Sequence, residues 1–313
     1  MIYLVNETWP EAGDTSGKMY ATLLRAAGLS PDEVKQVSLF TDKEGVFGPK
    51  SEAAPGFKGV RAKTFITAKG AEQLEESLFL VTQRAENDWV VPMGPIACWA
   101  IIQATDLTRR RGALHDVHVV PTYSPAQVTR QYLWFPLVAS DLAKVADADR
   151  HGLEEPKWDL RPRPTIEELR AFAFHLLETK EPIVFDIETS PKFRAITAIG
   201  LGSGGVFMCV PFVDEEKRGA SYWDRGVDEY EAVCLIKRVL ERPGIVKIAH
   251  HSSYDTTWLW TIFGIRVAGP LVDTRIMHHT LVAELPHTLG SIAHTYMLLP
   301  PWKSQHAESK ETD

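Results

Sequence analysis

The sequence predicts an α/β protein of two domains, and three observations carry that reading. The chain has 313 residues, more than one hydrophobic core usually serves. Short apolar runs alternate with stretches of helical spacing through both halves, the pattern of a helix-covered sheet. Between the halves, residues 150–164 hold Pro156, Pro162 and Pro164, several charges and little periodicity, and read as a linker. The expected domains are therefore 1–149 and 165–313.

Composition narrows the classes. The chain is 44% hydrophobic and 24% charged, an ordinary globular balance. No apolar run is long enough to span a bilayer and no charged-then-apolar leader opens the chain, so no membrane partner is expected. Cys98, Cys209 and Cys234 are widely spaced and odd in number, which argues against a disulfide framework or a cysteine-ligated metal. A cytoplasmic setting is expected, the host's if the protein is viral. Net charge is −7, with both halves acidic, so any contact with nucleic acid must come from local patches.

In the first half, Met1 to Val5 reads as a buried strand and Thr15 to Ala27 as a helix stopped by Gly28. Lys35 to Phe40 is a second strand, and residues 42–69, rich in Gly, Lys and Pro, a loop. Gly70 to Arg84 has helical spacing. Trp89 to Pro92 is a strand, followed after Gly94 by a helix through Ile102. Arg109-Arg110-Arg111-Gly112 is a basic turn, Val117 to Pro121 another strand, and Ala126 to Ala148 a helical segment. Alternation of this kind implies a parallel sheet.

In the second half, Thr165-Ile166-Glu167-Glu168 is a capping box opening a helix to about Thr179. Pro182 to Pro191 contains a strand, and Ala195 to Gly202 with Val206 to Phe212 form a hairpin around Ser203-Gly204-Gly205. Asp228 to Glu241 is helical, Ile245 to Ala249 a strand, and Asp255 to Phe263 a helix with Trp258, Leu259 and Ile262 turned to the core. Helices over Arg275 to Val282 and Leu289 to Met297 complete a mixed sheet with its cover. No internal repeat stands out.

Candidate chemistry begins in the strand Phe185-Asp186-Ile187-Glu188-Thr189. Its period of two points Asp186 and Glu188 the same way and Phe185 and Ile187 the other. Paired carboxylates repel unless a cation sits between them, and Mg²⁺ or Mn²⁺ prefers such oxygen ligands. On the pair alone, a strand whose polar face happens to be acidic is the simpler reading, because Asp-x-Glu is common. The segment His250-His251-Ser252-Ser253-Tyr254-Asp255, where a strand turns into a helix, adds a third acid able to project back over the sheet.

Together these segments resemble the 3′→5′ exonuclease domain of the DEDD superfamily, found in proofreading family A DNA polymerases and related phage proteins. The likeness covers residues 165–302 and implies an RNase H-like fold. Phe185 to Thr189 matches the first motif. His250 to Asp255 matches the second, usually His-Asn-x-x-aromatic-Asp, with His251 where Asn is usual. Val272-Asp273-Thr274, Leu285 to Ala293 and Trp302-Lys303 match the stretches leading to the third. The resemblance implies that Asp186, Glu188 and Asp255 hold two Mg²⁺ or Mn²⁺ ions and catalyse two-metal hydrolysis of a DNA 3′ end. It places His251 near the strand.

The third motif, Tyr-x-x-x-Asp, has no counterpart before Asp313. Tyr296 comes too early, and Glu308, Glu311 and Asp313 read as solvated charge. The domain is therefore expected to be truncated or completed by another polypeptide, such as a polymerase chain. His250, His251, His278, His279, His287 and His294 read as helix-surface and cap residues rather than a zinc set. Asp273 reads as an N-cap before Thr274-Arg275.

The first half resembles the uracil-DNA glycosylase superfamily, which implies a three-layer α/β/α domain over residues 1–149. The segments are Val90 to Ala97, Arg111-Gly112, and Val119 to Ala126, with Arg130 and Asp141-Leu142 beyond. The opening Gly-x-x-Pro-Gly motif falls at Val5 to Glu11 without its glycines, and Ser124 stands where a histidine is expected. Excision of uracil is therefore not expected. Arg109, Arg110, Arg111 and Arg130 either lie near DNA phosphate or form a solvated turn. The function expected is a metal-dependent 3′→5′ exonuclease in phage-like DNA replication or repair, a proofreading module. The alternative is a non-catalytic DNA- or polymerase-binding adaptor.

Overall fold

Parallel strands β1 (Ile2–Asn6), β2 (Val34–Ser38) and β5 (Trp89–Met93) form a sheet of order β2-β1-β5, with Ile2 level with Val34 and Trp89. The computed structural model describes residues 1–301 except 43, 55–64, 105, 154–156, 191–193, 215, 216 and 218. It divides into two units, Met1–Glu154 with Thr288–Asp313, and Glu155–His287. In the first unit the fully buried run of β1 explains why it is central, since both its neighbours and both its faces are covered. Helices α1 (Thr15–Ala26), α2 (Ala68–Thr82) and α3 (Pro95–Ile102) supply the cover, with Leu74, Val81, Ile96 and Ala97 in the core. The stretch expected as loop carries a two-residue ladder, β3 (Phe47–Gly48) with β4 (Phe65–Ile66).

Two expectations for this unit are corrected. Residues 117–121 form no continuous strand; this stretch meets β5 through the isolated bridge Val90–Val119, and Thr122 just beyond it through Met93–Thr122. Val120 N donates to Val90 O and Thr122 N to Pro92 O, but Pro92 has no N–H to return, so the ladder breaks. The single helix expected over 126–148 is two. After a short α4 (Leu107–Arg110), α5 (Pro125–Arg130) and α6 (Phe135–His151) are separated by a 3₁₀ turn at Tyr132–Trp134. Pro136 explains the break, because a proline tolerates only the first turn of a helix.

The second unit holds a six-stranded mixed sheet. Its strands are β6 (Asp159–Arg161), β7 (Ile183–Ser190), β8 (Ala195–Ser203), β9 (Val206–Pro211), β12 (Lys247–Ala249) and β13 (Leu271–Asp273), in the order β13-β12-β7-β8-β9-β6. The β7-β8-β9 meander is antiparallel, and β6, β12 and β13 each add in parallel. Positive φ at both Gly204 and Gly205 is what a tight β8–β9 turn demands. A two-residue ladder, β10 (Val213–Asp214) with β11 (Ala220–Ser221), follows. β6 corrects the linker expectation: residues 159–161 are an edge strand. Each of Arg161 and Arg163 precedes a proline, which biases it to extended backbone.

Along β7 burial alternates as expected, with Ile183, Phe185 and Ile187 inside and Val184, Asp186 and Glu188 outside. The inner face packs against α7 (Ile166–Glu178), opened by the expected Thr165–Glu168 capping box, and α8 (Gly226–Leu240), through Phe172, Leu176, Ile236 and Val239. Helix α9 (Ser252–Phe263) starts earlier than expected and buries Leu259, but leaves Ile262 exposed. α10 (Thr274–Leu281) follows β13, while α11 (Leu289–Tyr296), expected within the second domain, packs in the first unit. Among the described residues no helix is long and apolar enough to cross a membrane.

Candidate active site

Asp186 and Glu188 stand on the open face of β7 because the strand's other face is committed to the core. A register shift between Glu188 and Thr189 bends the strand just past the second acid. Asp255 lies in the first turn of α9, and its Oδ1 accepts a hydrogen bond of 3.1 Å from Ile187 N, the backbone between the two acids. A direct bond thus runs from the backbone of β7, between its two acids, to the acid of α9. Asp255 is 3% exposed. Burial first, then the charge of Asp186, pushes its carboxyl up to about 6, against the opposing pull of backbone N–H groups.

What aims α9 is Asp273. Its Oδ1 accepts from His251 N at 3.1 Å and its Oδ2 from Ser252 N at 2.7 Å, while the same side chain caps α10 through Arg275 N and Ile276 N. Burial alone would raise this carboxyl; the bonds from Ser252 and His251 hold it below the ordinary aspartate value. The expected N-cap role is present, and the tie to the second motif is an addition that no local sequence signal announces. His251 has φ +63, the left-handed region that Asn, Asp and His tolerate best, which gives a backbone reason for His where Asn is usual. Next to the acids, the hydroxyls of Thr189 and Tyr254 meet at 2.6 Å. A groove of about 320 Å³ runs from Asp186 past Gly200 and Cys209 to Val184, Phe207 and Leu160.

The donor set is all carboxylate oxygen, and Asp186 already strains Asp255, so a hard divalent cation suits it in kind. Among the described residues, however, no group of three or more His, Cys, Asp or Glu side chains stands in metal-holding geometry. The segments read for the third motif, Trp302-Lys303 and Glu308, Glu311 and Asp313, lie outside the described residues.

The histidines correct one expectation. His278 and His294 are buried rather than on helix surfaces. His278 Nδ1 meets His287 Nδ1 at 2.7 Å in the second unit, and His294 lies in the first, where burial lowers its pKa to about 4.

In the first unit, parts of three of the segments read as glycosylase-like meet in one cleft of about 860 Å³, and Arg111-Gly112 and Asp141-Leu142 do not line it. Asn6 to Glu11, Met93 to Ile96, and Ser124, Ala126 and Gln127 line it, at the carboxyl ends of β1 and β5 where the chain crosses from one side of the sheet to the other. The four arginines do not gather there. Arg130 alone of them lines the cleft among the described residues. Arg109 is solvated beside Asp106, and Arg111 is 5% exposed and bound to Asp141, a placement closed to DNA.

Comparison with known proteins agrees on the second region. Residues 164–312 match the model of a family described as 3′-5′ exonuclease, which supports a nuclease function there. No curated protein matches the chain. Among solved structures, the catalytic core of RRP6 from Trypanosoma brucei is similar at 23% identity, with 44% of this chain and 34% of that one covered and a TM-score of 0.33. Escherichia coli RNase D, an exoribonuclease involved in structured RNA processing, gives 20% identity over 44% and 33%, TM-score 0.32. The EXD2 exonuclease domain soaked in Mg and GMP gives 17% over 44% and 68%, TM-score 0.28. The chain spans about a third of the length of the first two. The family match does not extend to residues 1–163.

Proposed function

We propose that residues 164–312 form a 3′→5′ exonuclease that removes nucleotides from DNA 3′ ends, as a proofreading module in phage-like replication or repair. The observation that carries the reading is the bond from Ile187 N to Asp255 Oδ1, which brings the α9 acid to the strand bearing Asp186 and Glu188. Asp186, Glu188 and Asp255 would hold Mg²⁺ or Mn²⁺, which would supply positive charge to activate a water and to stabilise the departing 3′ oxygen. Asp255 must first lose its proton, so its raised pKa ties readiness to bind a cation to pH. Asp273 keeps α9 aimed at the strand, and the Thr189–Tyr254 pair fixes a hydroxyl beside the acids.

A DNA- or polymerase-binding adaptor is the second reading, favoured by the lack of a closed three-ligand set among the described residues. For residues 1–149 the proposal is a glycosylase-like domain that excises nothing and contacts DNA at its cleft through Arg130, with Glu7, Glu11 and Asp14 discouraging phosphate elsewhere on the rim.

The test incubates 5′-labelled single-stranded DNA and RNA with the chain in Mg²⁺, Mn²⁺ or EDTA, beside Asp186→Ala. A metal-dependent DNA ladder shortening from the 3′ end, absent in the variant, is expected. A ladder on RNA alone overturns the substrate assignment, and binding without cleavage leaves the adaptor.

A further inference from the structure

The sheet face that carries the acids of the second unit does not stop at β7. Strand pairing sets Asp186 level with Gly200 and Cys209, and Val184 level with Gly202, Phe207 and Leu160. Paired residues share a face, so two rows run from β7 across β8 and β9 towards β6. The groove of about 320 Å³ follows them. Its floor is low at β8. Gly200 has only the backbone of Asp186 near it, and the Phe207 ring lies over Gly202 so closely that a Cβ there would collide with it.

At the far border apolar side chains stand in the open. Leu160 is 62% exposed, Trp158 48% and Val184 39%. Trp158 precedes β6 and turns to the same side, its ring edge-on to Phe207 with centroids 6.3 Å apart. A continuous apolar patch of this kind marks a surface that meets something. The charges around it say what. In a chain of net charge −7, residues 157–163 carry Lys157, Arg161 and Arg163 against Asp159 alone. Arg161 lines the groove, and its pair with Asp159 is half exposed, so a phosphate can replace the carboxylate at little cost. Aromatic faces beside exposed cations are what a single nucleic-acid strand needs, since every base has a face to stack and every nucleotide a phosphate. An apolar helix from a protein partner would leave the cations unused.

We propose that this face is a track for single-stranded nucleic acid, with bases lying on Trp158, Phe207 and Leu160 and phosphates met by Lys157 and Arg161. From β7 to β6 is three strand spacings, about 14 Å, which a strand covers in roughly four nucleotides. The platform therefore holds bases upstream of the end that reaches Asp186. That this end is a 3′ end being cut rests on the exonuclease reading; the affinity for a strand does not. β6, expected from the sequence to be linker, gains a function by it.

The test measures fluorescence anisotropy of labelled DNA and RNA strands of about three and about ten nucleotides with the full chain in EDTA. Arg130→Ala serves as the parent, so that the first unit's cleft does not mask a loss. Trp158→Leu keeps apolar bulk against Phe207 but removes the stacking face. It should weaken binding of the longer strand about ten-fold and erase most of that strand's advantage over the shorter one. Stacking is indifferent to the sugar, so DNA and RNA should show the same loss. Trp158→Phe, which keeps a ring, should stay within about two-fold of the parent. Lys157→Ala with Arg161→Ala should lower the slope of log affinity against log salt by about 1. Equal affinity in Trp158→Leu overturns the track and leaves the face to a protein partner. A loss equal for both lengths overturns the upstream platform, and an unchanged salt slope overturns the phosphate contacts. Adding Mg²⁺ or Mn²⁺ to the parent separates the two readings: a strand held by Trp158 but never shortened removes the exonuclease and leaves the track.

Discussion

Two buried aspartates show how differently one residue type can be used. Asp141 in the first unit faces Arg111, Thr122 and Lys144, so its charge is compensated on every side. Asp255 in the second faces a backbone N–H and another carboxylate, Asp186, and its proton affinity rises accordingly. The first arrangement is what a fold builds to hold itself together. The second costs stability and persists where a cation or a substrate makes use of it.

The largest effect should come from breaking the compensated site. Asp141→Asn leaves Arg111 buried opposite a neutral group, and we expect a loss of about 3–5 kcal/mol in urea denaturation of the first unit. The strained site should respond with the opposite sign. Because the folded carboxyl of Asp255 titrates near 6 rather than 3.8, the fold binds that proton more tightly than the unfolded chain does. The contribution of Asp255 to stability is greatest below about pH 4 and declines as pH rises through the window up to about 6. Asp255→Asn removes that decline and should gain on the order of 1–3 kcal/mol at pH 8 in EDTA, with no gain at pH 3.5 and no nuclease activity. A variant less stable than the parent at pH 8 would refute the strain.

Asp273→Ala is intermediate, since it takes away the α10 cap and the tie to α9 without unpairing a cation. A loss of about 1–2 kcal/mol is expected, together with reduced nuclease turnover. The smallest effects separate the arginines. Arg130→Ala should weaken DNA binding in a salt-dependent way, measured by fluorescence anisotropy, while Arg109→Ala should change neither affinity nor melting temperature.

Much of the candidate site was legible in the sequence because its signals are local. Alternation along β7 set Asp186 and Glu188 on one face, and the capping box at Thr165 and the glycine pair at 204–205 marked a helix start and a hairpin within a few residues of themselves. The failures share a cause. Whether Pro136 ends one helix or begins another, and whether 159–161 is linker or edge strand, depends on what else is nearby to bond.

What the sequence by itself determined is therefore periodicity: which residues face inward, and which acids share a face. Only the tertiary structure decided that Arg111 answers Asp141 thirty positions on and Thr295 on α11, that Asp273 reaches back to His251 and Ser252, and that Asp255 carries a raised pKa. Those properties belong to pairs of segments distant along the chain. Burial and charge act through space, and a residue's chemical environment is set by the faces that meet it when the chain closes.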